Sequence, residues 1–198
     1  MARRCIFCGG SPLTNEDVIP KWVSALVARP VAPGSRNYTV STGPAREGRR
    51  SATAQQWQSD LLGTKAKQVC GTCNNGWMSN LEVAAKPLLV PMLKGEKAEL
   101  PPEGQLVVAR WAFKTALMAQ YIRTPVVPVP IERLRWLRTQ SEPPTKAWMG
   151  LAHYVGKTYA SWLFHKGVLW LGEGAIPLTA RGHLVTLCLG RMVIQTVV

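Results

Sequence analysis

Two Cys-x-x-Cys pairs, Cys5 with Cys8 and Cys70 with Cys73, are the residues in this chain whose type and spacing carry the plainest chemistry. Thiolates at i and i+3 grip one side of an ion, and two such turns complete the tetrahedral four-sulfur shell that zinc accepts without strain. A closed site of this kind leaves no position for a substrate water, so the expected ion is structural Zn2+, which stabilises folding rather than performing hydrolysis. The fifth cysteine, Cys188, sits between Leu187 and Leu189 in an apolar strand pattern and is expected to fill core.

Between the pairs runs Leu13-Thr14-Asn15-Glu16-Asp17-Val18-Ile19-Pro20-Lys21-Trp22, and the second pair leads directly into Asn74-Asn75-Gly76-Trp77. This order resembles the HNH endonuclease family, specifically its zinc-stapled branch, over residues 5–82. The resemblance implies a ββα-metal nuclease, in which a strand pair and a helix hold a catalytic divalent ion against a scissile phosphate and a histidine draws a proton from the attacking water. Carried over residue by residue, Glu16 matches the acidic ligand before that histidine. Asn74 matches the helix-start ligand, and Asn75 is its neighbouring substitute. Oxygen donors of this kind suit Mg2+ or Mn2+.

Asp17 stands where the family has its histidine, and His153, His165 and His183 all lie far along the chain, in or beside strand patterns. Reference pKa values of about 3.9 and 6.5 make the carboxylate a weaker base by roughly 3.5 kcal/mol. Because proton transfer is partial in the transition state, this implies a loss on the order of 10- to 1,000-fold, not abolition. Successive strand residues face opposite ways, so Glu16 and Asp17 can serve one ion only where the strand ends or bulges. Away from the resemblance, Glu16-Asp17 also reads as a solvated turn or a cap for the helix after Pro20, and Asn74 and Asn75 as helix caps.

The elements that must position these groups sit in a chain of 198 residues with 24 basic and 11 acidic side chains, a net charge of +13. The excess is spread, with 13 basic and 7 acidic residues over 1–99 and 11 and 4 over 100–198. A field of that sign attracts polyanions, so nucleic acid, DNA first, is the expected partner. Lys21 and the cluster Arg46, Arg49 and Arg50 are the expected phosphate contacts, the cluster lying in a Gly/Pro/Ser/Thr-containing excursion over 30–66 that reads equally as a clamp or a linker. No apolar run approaches the roughly 20 residues that span a bilayer, and the first Cys pair starts at once, so no membrane and a cytoplasmic site are expected. The resemblance leans toward a bacterial or phage host.

Periodicity predicts a helix over 21–29 with Trp22, Leu26 and Val27 inward, and a weak strand at Tyr38 to Val40. A helix after Cys73 is predicted on the stripe Trp77, Leu81, Ala84 and Leu88, kinked or stopped at Pro87. A central helix over 105–123 and a short one after Pro130, carrying Arg133, Arg135 and Arg138, follow. Strands are predicted at 147–155, 159–164, 168–171, 183–189 and 191–198. Trp22 and Trp77 lie on apolar stripes and are expected to pack rather than stack on bases. The expected class is α+β: an N-terminal treble-clef/ββα-metal module over 1–93, then a helical and antiparallel-sheet domain over 94–198.

Three functions fit this reading: an HNH-type endonuclease slowed by Asp17, a catalytically inactive DNA- or RNA-binding protein that keeps the nuclease-like fold, and an assembly protein that works through its sheet.

Overall fold

The computed structural model describes residues 3–27, 37–41, 54–58, 61–121, 131–139, 148–156, 160–167 and 182–197. It mixes helices with antiparallel sheets. A turn holding Cys5 and Cys8 leads into β1 (Leu13–Asp17) and α1 (Lys21–Val27). A second hairpin, β2 (Asn37–Ser41) with β3 (Ala54–Gln58), precedes β4 (Lys65–Cys70), which returns to pair antiparallel with β1. At Cys70 the chain turns into helix: α2 (Gly71–Cys73), a turn (Asn74–Met78) kinked at Gly76, where φ −95° and ψ −112° are not helical, then α3 (Ser79–Lys94). Helices α4 (Pro102–Gln120) and α5 (Ile131–Thr139) follow. The C-terminal strands β5 (Trp148–His153), β6 (Ala160–Gly167), β7 (Gly182–Leu189) and β8 (Met192–Val197) form an antiparallel sheet of order β5-β8-β7-β6.

Helix α4 is buried almost all round because apolar neighbours cover both its sides. On one side Trp111, Ala112 and Ala116 pack with Val23 of α1, Leu89 of α3, and Leu187 and Ile194 of the sheet. On the other, Phe113, Leu117 and Met118 pack with the four cysteines' surroundings, Phe7, Val69 and Met78, and with Trp136 and Leu137 of α5. Both clusters therefore contain residues from either side of the 93/94 boundary. Arg110 is buried as well, its cation disfavoured by desolvation, and its Nη2 donates to the Leu137 carbonyl at 2.8 Å in the last turn of α5.

Several elements differ from the periodicity reading. α1 buries Val23 and Val27, and Leu26 is exposed. α3 does not stop at Pro87 but runs through Pro87 and Pro91. The carbonyl that Pro87 leaves without a donor belongs to Val83, which like Pro87 is exposed, so the lost bond falls on the solvent side of the helix. Continuing to Leu89 and Leu93 turns the inward stripe to Leu81, Ala85, Leu89 and Leu93, leaving Ala84 outside. The helix ends at Gly95, with Gly95 N–H donating to Met92 and Glu96 N–H to Pro91, the paired bonds of a Schellman stop. The strand at Tyr38 to Val40 is part of β2, whereas β3 and β4 were not expected. The predicted strand at 168–171 lies outside the described residues, and the three histidines fall in β5, β6 and β7.

The sheet is tied to α3 at the β7–β8 turn. Arg191 N–H donates to the Leu93 carbonyl at 2.9 Å, and Gly190 takes φ 57°. A Cβ on Gly190 would lie 2.4 Å from that same carbonyl oxygen, so this turn needs glycine both for its left-handed backbone and for space. Gly190→Ala is accordingly expected to destabilise the protein by about 2 kcal/mol or more, read as a lowered urea midpoint with an unchanged slope.

Candidate metal centre and its flanking charges

The cysteine turn is shaped by its own backbone. Gly9 N–H donates to the Cys5 carbonyl at 2.8 Å, Cys5 N–H to the Gly10 carbonyl at 3.0 Å, and Gly10 N–H points at the Cys8 sulfur at 3.3 Å. Gly9 takes φ 71°, which lets the chain curl back over the sulfurs. Ile6 N–H then donates to the Gln68 carbonyl at 3.1 Å, docking the turn beside β4 and delivering both pairs to one point. All four sulfurs lie within 4.8 Å of one another, and Cys8 and Cys70 are 3.4 Å apart. A tetrahedron with metal–sulfur bonds of about 2.3 Å has edges of about 3.8 Å, so four cysteines at these separations can hold a metal ion such as zinc. Cys5, Cys70 and Cys73 are buried and Cys8 is exposed.

The thiols already differ. The Cys73 backbone N–H donates toward Cys70 and draws that thiol down to about 7, whereas burial pushes the Cys73 thiol up. Phe7 meets Trp77 edge-on with centroids 4.9 Å apart, walling the cluster, and Trp22 lies tilted on Trp111 at 6.3 Å; both tryptophans pack, as expected from their stripes.

From the knot, β1 and β4 run as a two-stranded ribbon whose register decides where each candidate residue points. Thr14 pairs with Val69, Glu16 with Ala66 and Asp17 with Lys65, so Asn15 stands opposite both Lys67 and Gln68: a bulge in β4. The bulge ends before Glu16, and Glu16 and Asp17 occupy consecutive, regular positions facing opposite sides. Thr14 and Glu16 face the helices. Thr14 Oγ1 donates to the Val69 carbonyl at 3.2 Å and accepts from Asn74 Nδ2 at 3.1 Å. Asn74 stands before the non-helical break at Gly76, and its amide braces the ribbon through Thr14. Asn75 is exposed.

Glu16 is neither a solvated turn nor a cap: it is 7 % exposed and bonds the ammonium of Lys114, which is 0 % exposed, at 3.3 Å. Lys114 reaches from α4 and also bonds Glu82 of α3 at 2.8 Å, so one cation joins three elements. Desolvation raises the Glu16 pKa, aided by the charges of Glu82 and Asp17, against the lowering pull of Lys114. Asp17, on the other face, pairs with Lys65 at 3.5 Å. The structure thus brings Asn74 and Glu16 to one face of the ribbon and turns Asp17 to the other. Lys21 is exposed at the start of α1, and Arg46, Arg49 and Arg50 lie outside the described residues.

Lys114 and Glu82 were missed by sequence reading, although a lone lysine inside an all-apolar helix circumference signals a buried partner. Among the described residues no helix is long and apolar enough to cross a membrane. No known protein family, curated protein or solved structure matches this chain.

Two outcomes follow from this geometry. Elemental analysis of purified protein should give about one zinc per chain, and chelation should lower the thermal midpoint by more than 10 °C, because metal-binding energy in such a closed site is folding energy. Lys114→Met should cost about 3 to 5 kcal/mol at neutral pH, since it strands two carboxylates in the interior. Burial already raises the Glu16 pKa against the pull of Lys114, so without that cation the variant's stability falls as pH rises from the unfolded carboxylate range toward neutrality and recovers on acidification. Urea unfolding at pH 5 and 7 measures the difference.

Proposed function

We propose that the protein is a zinc-dependent nucleic-acid-binding protein on a treble-clef, HNH-like scaffold, which holds polyanionic backbone by charge and does not require a catalytic ion. The observation that carries this reading is the neutralisation of both acids beside the knot. Glu16 is bound to the buried Lys114 and Asp17 to Lys65, on opposite faces of one ribbon. That leaves a net charge of +13 with no open carboxylate pair in the β1–β4 unit. Charge of this size and sign favours phosphate contact through counterion release. The structural zinc keeps the ribbon and the helix start in register, and its four-sulfur shell has no position for a reacting water.

A second reading, HNH-type phosphodiester cleavage with Mg2+ or Mn2+, draws support from one observation: Thr14, which holds Asn74, shares the inner face of β1 with Glu16. In that reading Glu16 and Asn74, with Asn75 adjacent, would hold the catalytic ion in place of the Lys114 ammonium, and Asp17 would have to act from the far face as base.

Fluorescence anisotropy of labelled duplex and single-stranded oligonucleotides against salt separates the two. Binding that weakens linearly on a log–log salt plot, with no plasmid nicking in Mg2+ or Mn2+, is the expected result. Absence of binding to any nucleic acid at 50 mM salt sinks the proposal. Metal-dependent nicking that Glu16→Ala abolishes and Asp17→His accelerates would establish the cleavage reading instead.

A further inference from the structure

The ribbon's inner face is committed to helices and ions, but its outer face is not. Lys65 and Lys67 are exposed on β4, and Asn15 is exposed opposite Lys67. The bulge matters here: by setting Lys67 and Gln68 together against Asn15, it places two polar β4 side chains where a regular ladder would place one. The backbone bonds fix what flanks them. Ile6 N–H on Gln68 brings exposed Arg3 and Arg4 alongside one end, and Val18 N–H on the Thr64 carbonyl at 2.9 Å brings Lys21 near the other. Residues 3–15 and 61–81 contain no carboxylate, so Asp17, already paired with Lys65, is the acid of this face.

We infer that the outer face of the β1–β4 ribbon is the docking surface for B-form DNA, entering the major groove. Lys67, Arg3, Arg4 and Lys21 contact phosphates, with Lys65 holding Asp17 beside them, and the Asn15 and Gln68 amides face base edges. This assignment rests on the nucleic-acid-binding reading above and specifies its surface and partner. The dimensions agree: a major groove about 12 Å wide admits a two-stranded ribbon, and six residues of β4 extend about 20 Å. Amide side chains are the type that pairs with adenine in that groove, while lysines and arginines fix register on the backbone. A-form RNA has a deep, narrow major groove that excludes such a ribbon, so the geometry selects DNA.

The test uses the zinc-loaded full chain, a fluorescein-labelled 20-base-pair DNA duplex and the RNA duplex of the same sequence. Lys67→Gln/Lys21→Gln should reduce the slope of log affinity against log salt by about 2, one unit per lost phosphate contact. Lys94→Gln/Lys97→Gln, at and just past the far end of α3, should leave the slope at its wild-type value. Asn15→Ala/Gln68→Ala should also keep the slope but compress the spread of affinities over a panel of DNA sequences. All of these side chains are exposed or half-buried, and zinc content and melting temperature check that each variant folds. A wild-type protein that binds DNA with a slope unmoved by the Lys67/Lys21 change overturns this surface while leaving the binding function standing. Equal affinity for the RNA duplex overturns the major-groove geometry, and an unchanged sequence spread overturns the role of the amides. Failure of the wild type to bind either duplex overturns the functional reading beneath it.

Discussion

Bringing Cys8 and Cys70 into contact from 62 positions apart is the constraint on which the rest of the structure depends. Closing a loop of that length costs about 4 kcal/mol of chain entropy, which metal binding to the folded cluster would offset, since the unfolded chain has no preformed site. The closure does more than staple. It sets the Cys5–Cys8 turn against β4 through Ile6, pairs β4 with β1, and starts the helical run immediately at Gly71. Ribbon and helix are therefore positioned by one cluster.

The second organising element is electrostatic. Lys114 is fully buried, and an isolated ammonium there would be untenable, so Glu16 from β1 and Glu82 from α3 must meet it. A buried triad of this kind is not a strong source of net stability, since desolvation offsets much of the attraction. What it sets is position: Lys114 meets both carboxylates with α4 laid against β1 and α3. The same triad draws Glu16 inward, away from Asp17. The electrostatics that join the cysteine-bearing segment to the helices also separate the two acids that a shared catalytic ion would need together.

Helix α4 carries this coupling into the remainder of the molecule. Its Trp111 side packs with α1, α3 and the C-terminal sheet, and its Phe113 side with the cysteine cluster and α5. The sheet in turn is anchored where Arg191 bonds the end of α3. Charge neutralisation inside and basic residues outside thus have one cause: the acids of the β1–β4 unit are used on lysines, and the lysines left over point to solvent.

The sequence by itself determined the four-sulfur cluster, because Cys-x-x-Cys spacing limits geometry locally. It also determined α4 and the strands around Leu187 and Ile194, where hydrophobic periodicity is strong. The alternation of Lys65, Ala66 and Lys67 carried the signal for β4 as well, but it was hidden in a polar stretch. The course of α3 past Pro87 and Pro91 was not legible, since what tolerates a proline is the solvent on that side of the helix. Nor was the fate of Glu16 and Asp17. Their adjacency is local, but their environments were decided by a lysine 98 positions away and by a bulge that stops one residue short of changing which way they face. Spacing fixes which groups can meet within a turn or a strand; only tertiary packing decides which distant charge removes a carboxylate from solvent, because that choice depends on desolvation at a contact between elements.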